Sequence, residues 1–392
     1  MQREASPYQP EKIEIKPVTS RRELRLFITL PRRIYKGMRG FVAPFDMEQF
    51  GLLDPAKAAI FRHAEIQYFL AWRGGKAVGR IAAIIDRRAI EYWQENVGQF
   101  GAFDALPEAD ITEPLLKAAE DWLLDRGAVC VRGPVTLSGN AETGCMIEGQ
   151  ETPPMVAMPW HPVGLGTLIE QGGYKKTQDL LSYSLELTPD IEERFKVPEG
   201  LKFGEGRLKT ITARSLSKKE IVSQSEILRR LYNDAWAHKY NFVPMQDYEM
   251  QAMVKEIKPL LRPEHYVQID QDGEPVAMAM VIPNIYDITS DLGGAPSPLG
   301  WIKFVYRLVK HRFTSARVIL LGVSSKLRGT ILGSLLPSLA IRELMQRGKS
   351  LPYKWVELGW IQESDTGMKN LAESLVPHPH KRHRIFEKPL KQ

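Results

Sequence analysis

The feature that most constrains the fold of this chain is an internal duplication. Near the start of each half, a helical segment closes on a Phe-Val element followed by proline and acidic residues, at residues 41–48 and again at residues 242–249. Such a repeat has to be recognised first, because it sets the architecture into which every other motif must fit. With 392 residues, the chain is long enough for two domains of ordinary size.

Each half continues with a strand–turn–strand hairpin. The turns contain Gly74-Gly75 and Asp272-Gly273, two dipeptides that supply the positive φ angles of a tight turn. The flanking apolar runs predict four strands, residues 67–72 and 77–85 in the first half and residues 266–269 and 276–282 in the second.

A strand and a long helix come next in each half. Gly101 and Gly127 are separated by the same number of residues as Gly322 and Gly348, and Gly127 and Gly348 both follow an arginine. Glycine is the expected residue just past a helix end, so we predict that both helices stop before these glycines. Apolar residues recur at helical spacing in both, at Leu115, Leu116, Ala119 and Leu123, and at Leu335, Leu336, Leu339 and Leu344.

The rest of each half is predicted as a strand, a short helix and a closing strand. These elements are residues 129–131, 165–171 and 183–187 in the first half, and residues 355–358, 368–375 and 384–387 in the second. The sequence therefore predicts an α/β protein with a mixed sheet and helices on both faces, built twice. We place the first unit at residues 1–190, a linker at residues 191–207 and the second unit at residues 208–392, with an insertion near residues 286–317.

The loop before the long helix differs between the halves. In the second half it is residues 324–333, which contain Lys326, Arg328 and two glycines. A loop of this kind exposes backbone N–H groups at the positive end of a helix, and such donors suit a phosphate or pyrophosphate. The matching stretch of the first half, residues 104–112, carries three carboxylates and Pro107, so we expect it to repel an anion.

The pattern Arg328-Gly329-x-x-x-Gly333 between a strand and a helix resembles the coenzyme A pyrophosphate loop of GNAT-type N-acyltransferases. The order of the surrounding elements is similar to that fold, and the resemblance covers nearly the whole chain as two tandem copies. It implies transfer of an acyl group from acetyl-CoA or a longer acyl-CoA to an amine. The chain departs from the family pattern at Ile331, where the family has a glycine, and a side chain there stands where backbone would approach the phosphates.

The resemblance also implies which residues form the site. Glu357 and Glu363 are candidates for the general base, and Trp236, His238 and Tyr240 for walls of the acceptor site; a buried aromatic cluster is the alternative for the last three. The family's usual tyrosine acid is absent from the short helix at residues 368–375. The residues expected to contact the acyl-CoA are Leu321, Gly322, Val323, Lys326, Arg328, Gly329, Thr330, Ile331, Leu332 and Gly333.

Composition and charge exclude several other classes of protein. The chain has 53 Lys and Arg against 47 Asp and Glu, and the excess concentrates after residue 377, which argues against a nucleic-acid-binding face. Two cysteines are too few for a disulfide framework or a zinc site, and His378, His380 and His383 are expected on a solvated strand end, so no metal is predicted. The start of the sequence lacks an apolar signal segment, so we expect a cytoplasmic protein.

Two segments keep two interpretations each. Residues 132–144, rich in glycine and hydroxyl side chains, are expected either to line a pocket between the domains or to serve turn geometry alone. Residues 301–313 predict a basic helix with Lys303, Arg307 and Lys310 on one stripe, and Trp301, Phe304, Val305 and Leu308 on another. That helix is expected either to touch an anionic membrane surface weakly or to form a lid on the core.

Two classes of function follow from these observations. The first is an enzyme that acylates an amine, with a small-molecule or lipid-like acceptor. The second is a catalytically degenerate acyl-CoA-binding or scaffold protein, which the departure at Ile331 and the missing tyrosine favour. The sequence leaves the acceptor, the acyl length and the oligomeric state open.

Overall fold

The computed structural model describes residues 12–191 and 203–391, which contain fourteen strands joined in one mixed sheet. The predicted linker, residues 191–207, lies mostly outside these residues, so the division into two units stays a prediction. The strands are β1 (Glu14–Pro17), β2 (Ala64–Arg73), β3 (Lys76–Asp86), β4 (Val97–Ala105), β5 (Cys130–Thr136), β6 (Ser138–Thr143), β7 (Cys145–Glu148), β8 (Lys175–Glu186), β9 (Ile211–Arg214), β10 (Tyr266–Gln271), β11 (Glu274–Pro283), β12 (Ser315–Val323), β13 (Trp355–Gln362) and β14 (Lys381–Pro389).

Thirteen α-helices accompany the sheet in the described part of the chain, as the α/β prediction required. They are α1 (Arg21–Thr29), α2 (Pro31–Ile34), α3 (Asp46–Leu53), α4 (Arg87–Trp93), α5 (Ala109–Leu124), α6 (Leu165–Gln171), α7 (Lys218–Ser223), α8 (Ser225–Trp236), α9 (Asp247–Ile257), α10 (Tyr286–Thr289), α11 (Pro298–Val309), α12 (Ile331–Gly348) and α13 (Thr366–Leu375).

The two halves exchange their closing strands. The sheet order is β1-β2-β3-β4-β5-β14-β8-β13-β12-β11-β10-β9, so the C-terminal strand β14 lies beside β5 of the first half. Strand β8, which closes the first half in sequence, pairs with β13 of the second half and with β14. Each half therefore completes its sheet with a strand from the other, and cutting the chain at the linker would leave two incomplete sheets.

Both closing strands are longer than the sequence predicted, and β14 is not a solvated end. Lys381 is 1% exposed and His383 is fully buried, although we expected this basic segment at the surface. The expectation was wrong because acids of other strands neutralise the segment. Asp179 of β8 forms ion pairs with Arg382 and Arg384, and Glu357 of β13 pairs with Lys381.

The two predicted hairpins are confirmed. Strand β2 pairs with β3, and β10 pairs with β11, in antiparallel register around the two-residue turns. Gly74 and Gly75 have φ angles of 53° and 74°, and Asp272 and Gly273 have φ angles of 50° and 84°. Two consecutive positive φ angles are the geometry that matches the right-handed twist of the strands.

The long helices α5 and α12 pack on the sheet through the predicted stripes. In α5, Leu115, Ala119 and Leu123 are fully buried, and in α12, Leu336 and Leu339 are fully buried. Burial of each leucine stabilises the fold by about 1.5–3 kcal/mol. Gly127 has a φ of 79° just past α5, as predicted, whereas Gly348 is the last residue of α12, so the prediction was wrong for the second helix.

The backbone shows that the matched glycine spacing is coincidental. The N–H of Leu106 donates to Val78 O, and the N–H of Ser324 donates to Val276 O, at the same point of the two hairpins. Ala105 and Val323 are therefore equivalent. Gly322 lies closer to the end of its strand than Gly101 does, and a longer loop before α12 compensates for the difference.

The insertion forms a helix, as predicted, but with different bounds, and of the predicted apolar stripe Trp301 and Phe304 pack on the core whereas Val305 is 53% exposed. Helix α11 ends at Val309. Phe313 lies beyond the helix, and its side chain is buried in the core with 1% exposure. The ring centroids of Trp301 and Phe304 each lie 5.2 Å from that of Phe45, so the helix rests on the first half of the chain.

A cluster of charged side chains joins the halves on the side of α9. His63 lies 2.9 Å from Asp86 Oδ1 through Nδ1 and 3.2 Å from Glu249 Oε1 through Nε2, and Arg88 donates to Glu249 at 2.9 Å. Burial lowers the pKa of His63, but the hydrogen bonds to the two carboxylates outweigh burial and raise it to about 9. His63 is therefore charged at neutral pH and holds the two halves together.

We expect this contact to make stability depend on pH. Because the pKa of His63 is raised on folding, its contribution is complete below the unfolded value of about 6.5 and is lost as the pH rises through about 9. The free energy of unfolding should fall across that interval in the wild type and fall less in His63→Asn. Denaturant unfolding between pH 6 and pH 10 measures it, with the exposed His378→Asn as control. Equal slopes in all three proteins would contradict the assignment.

Candidate functional site

The C-terminal part of β12 has an open edge. Strand β12 pairs with β11 along its length, whereas its parallel pairing with β13 covers residues 315–318. Beyond that point β13 keeps its pairing with β8 but no longer pairs with β12, so β12 and β13 separate. Because Ser324 N–H faces β11, alternation along the strand turns the N–H and C=O groups of Val323 and Leu321 towards the open side. A ligand with amide groups can extend the sheet there.

The loop after β12 is held by an acid of α8. Asp234 accepts hydrogen bonds from Ser324 Oγ at 2.7 Å and from Ser325 N at 2.8 Å, and Ser325 Oγ also donates to it. Burial raises the pKa of Asp234, but these hydrogen bonds outweigh burial, so the net shift is downward. The carboxylate is thus ionised and fixes the loop that leads to α12.

The N-terminus of α12 keeps two donors open. Thr330 is the N-cap, and its Oγ1 accepts from Gly333 N at 3.0 Å. The N–H groups of Ile331 and Leu332 lie in the first turn, where no intrahelical acceptor exists. The Ile331 side chain is 84% exposed, so it does not pack inside the loop. Gly329 adopts a φ of 77°, and Lys326 and Arg328 are exposed beside it.

Gly333 is required by packing. A Cβ atom at this position would lie 2.0 Å from Leu327 O, which is closer than any side chain can approach a carbonyl. A substitution at Gly333 would therefore disturb the loop itself and would not test ligand binding.

The three predicted acceptor residues do not share one surface. The ring of Trp236 lies over Gly322, where a Cβ would come within 2.3 Å of it, and stacks on Tyr232. His238 Nδ1 is 2.9 Å from Arg328, beside the loop. Tyr240 lies elsewhere: its ring contacts Arg132, and its backbone is held by the Gln362 side chain at the boundary between the halves.

The first half closes the edge that the second half leaves open. The buried Tyr35 hydroxyl accepts from Ala105 N at 3.0 Å and donates to Ala105 O at 3.3 Å. Ala105 is the residue equivalent to Val323, so Tyr35 occupies the backbone groups to which an amide ligand would bind. Sequence reasoning missed this residue, because only the strand register shows where Tyr35 lies.

The two predicted general bases are both engaged in ion pairs. Glu357 is fully buried, with its Oε2 2.8 Å from His380 Nε2 and 3.3 Å from Lys381 Nζ. Burial raises the pKa of Glu357, but the charge of Lys381, the hydrogen bond to His380 and the charge of Arg317 outweigh burial and lower it to about 2. Glu363 accepts from Lys176 at 2.7 Å and from Asp179 N at 3.0 Å. Their catalytic role stays a prediction, and their contacts are those of structural carboxylates.

A second feature is a half-open cleft between the end of β4 and the end of β5, with a cavity volume of about 60 Å³. It contains Thr136 and Glu142 from the segment at residues 132–144, and it receives Tyr286 from α10 of the second half. The pocket interpretation of that segment is the one that agrees with the structure. Glu142 escaped the sequence reasoning because nothing local distinguishes it from a surface acid.

Glu142 in this cleft, and Glu48 near it, are poor anions. Burial raises the pKa of Glu142 to about 7, although the Thr136 hydroxyl donates to it at 3.2 Å. Burial and the neighbouring Glu142 raise the pKa of Glu48 to about 8. Glu142 is therefore a carboxyl group of the cleft lining that would gain from a nearby positive charge, and Glu48 is a second such group in its neighbourhood.

The tandem arrangement and the open edge of β12 define a GNAT-type fold in two copies. A tandem GNAT protein from the clavulanic acid biosynthesis pathway has a TM-score of 0.55, with 11% identity over 97% of this chain and 99% of that one. A GCN5-related glucosamine N-acetyltransferase region of a fungal multi-domain GH3 β-N-acetylglucosaminidase has a TM-score of 0.52, with 13% identity over 97% of this chain and 38% of that one. Identities this low establish the fold alone.

Two proteins are similar over their whole length. The bacterial ceramide synthase of Caulobacter vibrioides (strain NA1000 / CB15N) is 34% identical over 381 residues, which are 96% of this chain and 98% of that protein. YghO of Escherichia coli (strain K12) is 32% identical over 374 residues, 95% of both chains. No protein-family model matches the sequence. The chain belongs to the family of bacterial ceramide synthase and YghO, and it is an acyltransferase of the GNAT fold. The prediction of an enzyme is confirmed.

We expect Glu357→Gln to destabilise the protein strongly, because the substitution leaves Lys381 buried without its counter-charge. Breaking a buried pair costs about 3–5 kcal/mol, whereas losing a half-exposed pair costs about 0–1 kcal/mol. Glu363→Gln, which breaks the half-exposed pair with Lys176, is the matched control. Denaturant unfolding of the three proteins measures the difference. If Glu357→Gln unfolded like the wild type while losing activity, Glu357 would be catalytic.

Proposed function

We propose that this enzyme transfers an acyl group from an acyl-CoA, bound by the second half, to the amine of a lipid-like acceptor. One observation supports acyl-CoA as the co-substrate. The open edge of β12 leads directly to the cationic loop and to the free N–H groups of Ile331 and Leu332. Backbone amides along β12 suit the amides of the pantetheine arm, and the helix N-terminus suits its pyrophosphate.

The contrast between the halves supports a single acyl-CoA site. In the first half, Tyr35 binds the backbone of Ala105, and the start of α5 carries Glu108 as N-cap and Asp110 in the first turn, which both pair with Arg73. An anion approaching that region meets carboxylates, and the neighbouring Arg73 is already paired with them. The second half has neither obstacle.

The relative named a ceramide synthase supports the class of acceptor. A ceramide is the N-acyl amide of a long-chain amino alcohol, so an enzyme of that kind acts on an amine attached to an aliphatic chain. We infer an acceptor of the same class for this chain. The proposal covers acetyl-CoA and longer acyl-CoA as the donor.

The acyl-CoA site is tested by Ile331→Glu, with Ile331→Gln as its matched control. Ile331 is 84% exposed at the first turn of α12, so neither substitution disturbs packing. A carboxylate there repels pyrophosphate by about 1–4 kcal/mol at ~4 Å, which corresponds to a weakening of roughly fivefold to a thousandfold. Calorimetric titration of coenzyme A into the full-length proteins measures the dissociation constants.

The first half serves as the second control in that experiment. Glu108→Lys removes an acid from the equivalent loop and should leave the affinity for coenzyme A unchanged. If Ile331→Glu bound coenzyme A like the wild type, or if Glu108→Lys changed the affinity, the assignment of the site to the second half would be wrong.

We also infer that the enzyme meets its acceptor at an anionic membrane surface, through α11. None of the residues of this helix is buried. Leu299, Ile302 and Val309 are 78%, 66% and 71% exposed, and with Tyr306 they recur at helical spacing on the side away from Trp301 and Phe304. An exposed apolar stripe of this kind inserts into the boundary between headgroups and acyl chains.

The charges on α11 contribute less than the sequence suggested. Lys303 and Arg307 both form ion pairs with Asp291, so they hold the helix against α10. Lys310 and Arg312 are exposed and have no ion pair in the described part of the chain. Their positive charge complements anionic lipid beside the apolar stripe. Across residues 12–191 and 203–391, no helix combines the length and apolarity needed to cross a membrane.

Co-sedimentation with vesicles of phosphatidylcholine and phosphatidylglycerol separates the two contributions. Lys310 and Arg312 are worth about 1 kcal/mol each near an anionic surface, whereas each apolar side chain is worth about 1.5–3 kcal/mol on full burial. A Leu299→Ser, Ile302→Ser, Val309→Ser variant should lose binding at all salt concentrations, and a Lys310→Gln, Arg312→Gln variant should lose part of it. If the wild type failed to sediment with the vesicles at low salt, the membrane role would be wrong and α11 would be a lid on the core.

A further inference from the structure

We propose that the cleft between the ends of β4 and β5 binds the acceptor amine, and that Glu142 is the general base that deprotonates it. The proposal rests on the proposed function and deepens it, because it assigns the acceptor to a place in the first half of the chain. The supporting observations are the residues that line the cleft and the hydrogen-bond partners of the charged side chains around Glu142.

The cleft suits an amphiphile. Its walls are mainly apolar, and they come from the first half and from α10. The apolar lining includes Phe41, Val42, Phe103, Met158, Trp160 and Tyr286. Trp301 and Phe304 of α11 pack on Phe45, which follows Pro44 of the cleft lining, so this helix lies beside the cleft and its exposed stripe faces the other way. An aliphatic chain that leaves a bilayer beside α11 finds an apolar path inward.

The cations near Glu142 are already bound to other groups. Arg80 donates to Asp104 at 2.8 Å and to the carbonyls of Phe27 and Ile28. Arg317 donates to the carbonyls of Gly359, Val156 and Ala157. Neither arginine forms an ion pair with Glu142, so a cationic ligand could serve as the counter-ion of this carboxyl group. The charged and titratable groups around Glu142 are Glu48 on α3, Arg80 on β3, Asp104 on β4, Tyr286 on α10, Arg317 on β12 and His161 after β7.

One segment connects the cleft with the acyl-CoA site. Pro154 and Met158 line the cleft, and the carbonyls of Val156 and Ala157 between them are bound by Arg317. Arg317 lies in the last stretch where β12 and β13 are paired, directly before the two strands separate. Val156 also packs in the same core as Leu320 of β12. Arg317 and Val156 therefore join β12 to the wall of the cleft, and the proposal places the meeting of acceptor and acyl group at this junction.

The reaction balances with the groups named. The acceptor ammonium gives one proton to the Glu142 carboxylate and becomes a neutral amine. Its nitrogen lone pair attacks the thioester carbonyl carbon, so a C–N bond forms and the C–S bond breaks. Coenzyme A leaves as a thiolate and takes the second proton that the nitrogen loses on becoming an amide. The proton on Glu142 returns to solvent.

The binding test uses decylamine, with decanol as its uncharged analogue and Glu142→Gln as the variant. An ammonium beside Glu142 lowers the pKa of that carboxyl, so binding at pH 7 should release about half a proton, which titrations in phosphate and in Tris detect. In Glu142→Gln the proton release should vanish, and affinity for decylamine should fall about tenfold or more while affinity for decanol is retained. Glu148→Gln, on the neighbouring strand β7 with its side chain 58% exposed, is the matched control.

Turnover and coenzyme A binding separate this proposal from the one on which it rests. Glu142→Gln should lower kcat by about 10²-fold or more and leave the dissociation constant of coenzyme A unchanged. Equal decylamine affinity, proton release and turnover in Glu142→Gln and wild type would overturn the role of the cleft while leaving N-acylation standing. A wild type that fails to bind coenzyme A would instead overturn the proposed function, and the decylamine titration would still decide the cleft.

Thr136→Val provides a second variant if Glu142→Gln fails to fold. The Thr136 hydroxyl donates to Glu142, a contact that lowers the pKa of the carboxyl, so its removal should move the acidic limb of the kcat/KM profile to higher pH. An unchanged profile in a folded Thr136→Val protein would show that Glu142 does not govern the reaction.

Discussion

The pairing of β8 with β14 at the centre of the sheet is the contact on which the rest of the structure depends. Each strand closes the half to which it does not belong in sequence, so the two copies of the fold share one sheet. The centre is also rich in charge. Asp179 of β8 lies between Arg382 and Arg384, and Glu357 lies beside Lys381. Buried charges are tolerated when they are paired, and removing one partner is costly. The exchange therefore couples the halves and aligns the open edge of β12 with the cleft of the first half.

Duplication has produced two halves that contain the same secondary-structure elements but differ in the charge of the loop and in the access to the strand edge. At equivalent backbone positions, Ala105 is bound by Tyr35, whereas Val323 faces an open edge. The loop that follows is short and acidic in one half, and long, cationic and held by Asp234 in the other. The two copies of one fold therefore present different ligand-binding surfaces. Glu142 in the cleft of the first half, whose pKa is raised by burial, is complementary to a cation, and the loop of the second half is complementary to an anion.

The segment between β7 and α6 is the physical link between these two sites. It has no helix or strand of its own, and its carbonyls are bound by second-half donors, with Lys381 bonded to Pro153 O, Arg317 to Val156 O and Ala157 O, and His383 to Pro159 O. Backbone carbonyls need partners when they are buried, and here the partners are the side chains of the exchanged strand and of β12. The position of the cleft wall is therefore set by the other half of the molecule.

The sequence by itself determined the repeat, both hairpins, the long helices and the loop before α12, because each depends on local signals: turn dipeptides, apolar periodicity and the placement of glycine. It also determined the family resemblance, and through it the acyltransferase fold.

The sequence did not determine the exchange of β8 and β14, the burial of Lys381 and His383, the equivalence of Ala105 with Val323, or the cleft around Glu142. Those features depend on which strands become neighbours. A basic strand looks like a solvated tail until the acids of another half neutralise it, and Glu142 looks like any surface acid until Tyr286, nearly 150 residues away in the chain, closes the cleft over it. Local sequence carries no record of such contacts, so only the tertiary structure decided them.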